Sequence, residues 1–337
     1  MYPCAVLSFS GCSPTGDPTI NKIGGNTMNL NLRWATFAVF ATIFVLASCQ
    51  RPPASHPDVE AIGDGVFLYR SDAQRSLFMV TGEGVIVTDP INAEVAKSYR
   101  QAIAAITDQP VKYVVYSHYH WDRVAGGQVF RDEGAEIIAQ EQCVERFKDN
   151  PNDAVAMPET SFADRHEVSL GGKSLDLYYF GPSHGDCLTV FLARPANLVQ
   201  IVELVNPPRA TFPADPNVPY VKPHNLNKFF VAVEALVAEN GVEQIVASTV
   251  TTEVDEQGVE QRSPALGPAS LIHEQAMFWD AVYSEVAKAR AEGNVGIDSF
   301  VRLKGIDLTK FEPYDNYKPE DLPIIMRRFV GYYDMGR

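Results

Sequence analysis

The segment Ser117-His118-Tyr119-His120-Trp121-Asp122-Arg123 sets two imidazoles and a carboxylate at alternate positions within five residues. Directly before it, residues 111–116 form a short β-branched and aromatic run that predicts a buried strand. If the chain stays extended past that strand, side chains two apart share a face. His118, His120 and Asp122 then converge, while Tyr119 and Trp121 turn away and pack. Two imidazoles meeting at one point suit a divalent metal, and a nearby carboxylate completes or extends such a site. Gly126-Gly127 lets the backbone run close to the site as a helix-like stretch begins near Val124. A third histidine, His184, lies in Gly181-Pro182-Ser183-His184-Gly185-Asp186, again between two strand-like runs. Three histidines on strand-end loops match the ligand pattern of catalytic zinc, which leaves one position for water. His56, His166 and His273 read as solvated loop histidines.

Elements able to hold these loops can be read on either side. Runs at 66–70, 76–80 and 85–88 predict opening strands, with Gly82-Glu83-Gly84 marking a hairpin between the last two. Apolar residues at helical spacing fill 93–106, and Pro110 follows the end of that helix. After the histidine loop come a strand at 136–139 and a helix at 141–148. Strands at 167–170, 174–180, 188–193 and 198–202 follow in close succession, as in an antiparallel sheet. A helix over 226–239, a strand at 243–247 and helical stretches over 270–292 and 319–333 complete the chain. Strands in runs, with helices interposed but not strictly alternating, favour mixed layers over a doubly wound parallel sheet.

From about Ile62 to Ala247 the chain resembles the metallo-β-lactamase superfamily. The resemblance rests on paired opening strands, Asp89 at the end of the third strand, a helix, His-x-His-x-Asp, Gly-Gly and the later Gly-Pro-x-His. It implies an α+β fold, a four-layer αββα sandwich with metal at the rim between two sheets, and mostly hydrolytic chemistry. It matches His118, His120 and His184 to the three-histidine metal position and Asp122 to the second-metal aspartate. Arg123 stands where most of the superfamily has histidine, although an arginine occurs at that place in true zinc β-lactamases. In the segment 200–205, Glu203 lines up with the family's bridging aspartate or cysteine. The family's last ligand, a histidine in a Gly-His-Gly turn, is replaced by Ala247-Ser248-Thr249-Val250, and His224 could compensate only if its loop folds back. The resemblance therefore implies one well-supplied zinc site, with a second metal resting on Asp122, Glu203 and water.

Composition bounds the partners. With 46% hydrophobic and 21% charged residues the chain can bury a sizeable core. A formal charge of −14 opposes binding to phosphate backbones, so nucleic acid is not an expected partner. Residues 1–27 lack periodicity. Met28 then opens a polar stretch carrying Arg33, followed by an apolar run over 34–45 and Leu46-Ala47-Ser48-Cys49, the order of a secretory signal. The last four residues resemble a bacterial lipobox, which implies cleavage before Cys49 and its lipidation; an uncleaved membrane anchor is the alternative. Both place the rest of the chain at a membrane, on the periplasmic side in the lipoprotein case, with Met28 as the expected true start. Cys143 and Cys187 are then either a disulfide pair or two separate thiols, and their spacing does not decide.

The expected organisation is a signal region at 1–48, a Pro-rich tether at 49–59, a metallo-β-lactamase-like domain at 60–262 and a helical extension at 263–337. The expected function is zinc-dependent hydrolysis of an ester, lactam, thioester or phosphodiester in a small-molecule substrate. Asp122 would handle the proton of the attacking water, and Arg123 would hold Asp122 or an anionic group of the substrate. The alternative is a non-catalytic metal-binding or partner-binding protein that keeps the fold.

Overall fold

A computed structural model describes residues 55–206, 220–294, 298 and 329–330. Cys49, Met28 and the signal region lie outside the described residues, as does the 319–333 helix except for Phe329 and Val330. Among the described residues, no helix is long and apolar enough to cross a membrane.

The chain opens with β1 (Val59–Gly63), β2 (Val66–Ser71), β3 (Gln74–Val80) and β4 (Val85–Thr88), paired antiparallel in sequence. Helix α1 (Ala93–Ile106) crosses to β5 (Val111–Val115), which lies parallel to β4. Two short helices, α2 (Trp121–Val124) and α3 (Gln128–Arg131), lead to β6 (Glu136–Gln140). Helix α4 (Glu141–Asp149) then leads to β7 (Thr160–Phe162), completing a mixed seven-stranded sheet in sequential order.

The second sheet begins with β8 (Arg165–Leu170), β9 (Lys173–Tyr179), β10 (Thr189–Arg194) and β11 (Leu198–Ile201). After α5 (Pro223–Asn240), β12 (Gln244–Val246) joins parallel to β11. A hairpin of β13 (Thr252–Val254) and β14 (Glu260–Arg262) precedes β15 (Leu266–Pro268), which pairs with β12, and α6 (Leu271–Ala291). The sheet order is β15-β12-β11-β10-β9-β8.

Strand alternation makes the layers. Side chains on a strand point to opposite faces in turn, and the first sheet sorts its residues accordingly. Leu77, Met79, Ile86, Val115 and Ile138 join the core shared with the second sheet. Their neighbours Phe78, Val85, Val87, Val114, Ile137 and Ala139 join a separate core under α1, α3 and α4. The second sheet shares its core with α5 and α6, so the order is helix, sheet, sheet, helix, as the resemblance implies.

Helix α1 spans the expected residues because its start is capped and its apolar residues share one face. Asn92 Oδ1 caps it by accepting from the amides of Glu94 and Val95, and the fourteen residues carry one apolar face. The short strands β1, β7 and β13–β15 were not expected: their residues are mostly exposed or half-buried, so they lack the apolar runs that marked β4 and β5. β1 begins at Val59, the last residue assigned to the tether. Within the expected extension, β15 adds to the second sheet and α6 buries Phe278, Trp279 and Val282 in its core.

Candidate metal centre

The chain leaves β5 extended, and His118 is wholly buried two residues past Tyr116. His120 is half-buried and starts α2, where the backbone turns helical. The extended path therefore stops short of Asp122, which stands exposed on the helical turn, its Oδ2 accepting from Gln74 Nε2 at 3.3 Å. Trp121 is 43% exposed, contrary to the expected packing, because that turn carries it out to the surface. Tyr119 does pack: it is half-buried, beside Gly185.

His184 comes from the loop between β9 and β10 and closes on the other two histidines. Ring centroids lie 4.5 Å apart for His118–His120, 5.0 Å for His118–His184 and 4.9 Å for His120–His184. One nitrogen from each falls within 4.8 Å of the others. His184 Nε2 and His120 Nδ1 are 3.3 Å apart, close to the roughly 3.3–3.4 Å between two nitrogens tetrahedrally bound to zinc. His118 Nδ1 meets Ser117 Oγ at 2.8 Å, while its Nε2 is buried with no hydrogen-bond partner. A buried, unsatisfied imidazole nitrogen beside two others fits a metal, and the second nitrogen is held as metal-ligating histidines require. Burial first, then His184, His120 and Arg123, pushes the His118 imidazolium well below its usual range, which keeps the ring neutral.

The loop after β5 is held by buried bonds. Asp89 Oδ1 accepts from the Ser117 amide at 2.8 Å, and the Thr189 amide donates to the Ser117 carbonyl at 2.8 Å, tying the two sheets together at the rim. Burial raises the Asp89 carboxyl to about 6, against the pull of Arg123 and the Ser117 bond. Asp89, Ile91 and Glu203 all have left-handed backbone, with φ of 38°, 71° and 66°. Such conformations cost about 1–3 kcal/mol each outside glycine and gather at functional sites.

The second-metal half is otherwise arranged. Arg123, 1% exposed, donates through Nε to Glu203 Oε1 at 2.7 Å and through Nη2 to the same oxygen. It reaches neither Asp122 nor the surface, so the expected contacts with Asp122 or substrate are replaced by this internal pair. Burial alone would raise the Glu203 carboxyl, but Arg123, then His184 and His120, outweigh it and hold it below its usual range. Thr249 sits in a hydrogen-bonded turn: Asn206 Oδ1 accepts from the amides of Ser248 and Thr249, and Ser248 Oγ accepts from the Glu203 amide. His224 is exposed on the first turn of α5. Among the described residues, the grouping able to hold a metal comprises His118, His120 and His184, without Asp122, Glu203 or His224.

Beside the site, Cys143 on α4 and Cys187 form a disulfide, which settles the alternative the sequence left open. Asp89 carries a supporting role for the histidine loop that the sequence did not assign to it. The only sequence signal was Asp89 at a strand end.

Residues 71–193 match the family model of the metallo-β-lactamase superfamily. The 2,4-dinitroanisole O-demethylase subunit alpha of Nocardioides sp. (strain JS1661) is 32% identical over 130 residues, and this chain spans 38% of that relative's length. A metallo-β-lactamase from Pontibacter korlensis superposes with a TM-score of 0.54 at 19% identity, covering 66% of this chain and 98% of that one. A double mutant of the sec-alkyl sulfatase PisA1 superposes at 0.60 and 11% identity, covering 82% and 50%. The structural likenesses carry the fold alone. The family match covers residues 71–193, which carry His118, His120 and His184, and the structural likenesses extend the same fold over about two thirds of the chain or more.

Proposed function

We propose that this protein is a zinc-dependent hydrolase that works with one ion, held by His118, His120 and His184, on a small-molecule ester, lactam, thioester or phosphodiester. The observation that carries it is the buried, unpartnered Nε2 of His118 beside two further histidines. Zinc is favoured by the all-imidazole donor set. A bound ion would supply a Lewis acid and a water acidified to near neutrality. The chain's own residues do the rest. Ser117 Oγ holds the His118 ring, and Asp89 holds the loop that carries His118 and His120. Arg123 supplies a fixed positive charge to Glu203 where a second cation would otherwise be needed.

The Cys143–Cys187 disulfide supports an oxidising compartment and agrees with export as a lipoprotein anchored through Cys49. The charge of −14 supports a substrate other than nucleic acid. A second reading, a metal-binding protein without catalysis, is favoured by Thr249 in the last ligand slot and by Glu203 being taken by Arg123.

Metal analysis should find close to one zinc per chain, and none would sink the metal centre. A panel of ester, lactone, lactam, thioester and phosphodiester substrates, with 2,4-dinitroanisole added because of the relative named above, should show turnover that His120→Ala abolishes. Equal inactivity of wild type and variant on every class would favour the non-catalytic reading.

A further inference from the structure

His118 and His120 are anchored by backbone bonds at the end of a central strand. His184 is differently placed. Its loop is braced internally by the Ser183 amide on the Gly185 carbonyl at 2.8 Å, and Gly185 has φ of 90°, a conformation with little cost only for glycine. Such a segment loses much conformational entropy on ordering, so something outside it must hold its third ligand in place.

Helix α4 supplies three ties to it. Cys143 bonds covalently to Cys187, three residues past His184. One turn further along α4, Arg146 donates to Asp186 Oδ2 through Nε at 2.6 Å and Nη2 at 2.5 Å. Tyr179 bridges the remaining gap, its hydroxyl 2.6 Å from the Asp186 carbonyl and 3.1 Å from Gln142 Oε1. Residues three apart on a helix share a face, so Cys143 and Arg146 grip adjacent residues of one loop. The loop's opposite side is closed by Tyr119, between the two other ligands: a Cβ on Gly185 would lie 2.9 Å from Tyr119 Cε1. The far side of Arg146 is held in turn by Tyr220, whose hydroxyl accepts from Nη2 at 2.6 Å.

We propose that α4 is a clamp that positions His184, so that the Cys143–Cys187 bond and the Arg146–Asp186 pair set the metal affinity of the three-histidine site. The proposal rests on the metal-centre reading above. Cys143, Arg146 and Asp186 act through His184 and are positioning residues. Losing outer-shell partners of this kind lowers metal affinity by about 10–100-fold.

The test measures zinc affinity of the full chain by competition with a chromogenic chelator, alongside amide hydrogen exchange of the metal-free protein. The variants are Cys143→Ala/Cys187→Ala, Arg146→Met, Arg146→Lys and Val233→Ala. Val233 is buried on α5, in the other helical layer, and its variant controls for general loss of stability. The double cysteine variant and Arg146→Met should bind zinc at least about tenfold more weakly. Their amides over 183–188 should exchange faster while those over 117–120 do not change. Arg146→Lys should recover part of the affinity, and Val233→Ala should bind as wild type despite a lower Tm. Wild-type affinity and exchange in either folded clamp variant overturns the proposal, as does equal weakening in Val233→Ala. If the double cysteine variant does not fold, the two Arg146 variants decide. A wild type that takes up no zinc overturns the metal centre itself, and is recognised before any variant is compared.

Discussion

Asp89 shows how one buried carboxyl can be both useful and costly. It orders the histidine loop by accepting from Ser117, yet it is 1% exposed, and burial lifts its carboxyl to about 6 from an ordinary 3.8. An acid whose folded pKa lies above its unfolded one binds more protons in the folded state, so stability falls as pH rises between the two values. The window here runs from about 4 to about 6, and the shift corresponds to roughly 3 kcal/mol. In metal-free protein, Asp89→Asn keeps an oxygen for the Ser117 amide and removes the titration. The stability of the variant relative to wild type should therefore rise by about that amount between pH 4 and pH 6, read from urea midpoints across the range. A difference that stays flat with pH would show that Arg123 already compensates the buried charge. Arg123 itself marks a limit of sequence reading. Its place beside Asp122 in the motif was plain, but its partner Glu203 is 80 residues away, and only the folded chain brings them together.

Between β5 and β6 the chain must turn twice within a few residues, and Gly126 permits it. Its φ is 94°, and a Cβ there would lie 2.6 Å from the carbonyl carbon and oxygen of Asn92 and 2.8 Å from the Ala93 nitrogen. Gly126→Ala thus forces a side chain into the backbone that caps α1, in a conformation that L residues avoid. Left-handed strain of about 1–2 kcal/mol adds to overpacking of about 1–3 kcal/mol. Unfolding should shift by about 2–5 kcal/mol, with parallel loss of zinc binding because α2 and the His120 turn move with it. A shift below about 1 kcal/mol would mean that α1 yields without strain. The pair of glycines was legible as a close backbone approach to the metal site, but the approaches are to the α1 cap and to Tyr116. The long elements were legible, and α1 spans 93–106 as its periodicity predicts. The helix beginning at Trp121 was not, because four residues carry no period. Assuming an extended chain there aimed Asp122 at the metal and Trp121 inward, and both are exposed. The strands β7 and β15 escaped because their place is set by neighbouring strands, not by their own pattern.

At the scale of the whole molecule the open question is what closes the sandwich. The family match ends at residue 193, and the segment from 263 onward had no assigned part in the core. The structure gives it one. Leu271, Ile272, Phe278, Trp279, Val282, Tyr283, Val286 and Ala289 are each at most 6% exposed and belong to the same buried cluster as β10, β11 and α5. Burying a large apolar side chain contributes about 1.5–3 kcal/mol. These positions together therefore contribute on the order of 10 kcal/mol or more, even after allowance for compactness in the unfolded chain. That is comparable to the whole stability of an ordinary domain, about 5–15 kcal/mol. Truncation after Arg262 would also uncover β12, which pairs with β15, leaving an open sheet edge next to bare apolar surface. The truncated chain should accordingly be aggregated or lack cooperative thermal unfolding, and should bind no zinc, although every histidine of the site is still present. If residues 55–262 instead gave a soluble monomer with a sharp transition and wild-type zinc affinity, α5 alone would suffice as the outer layer. The helix α6 would then be a cover added to a sandwich already complete.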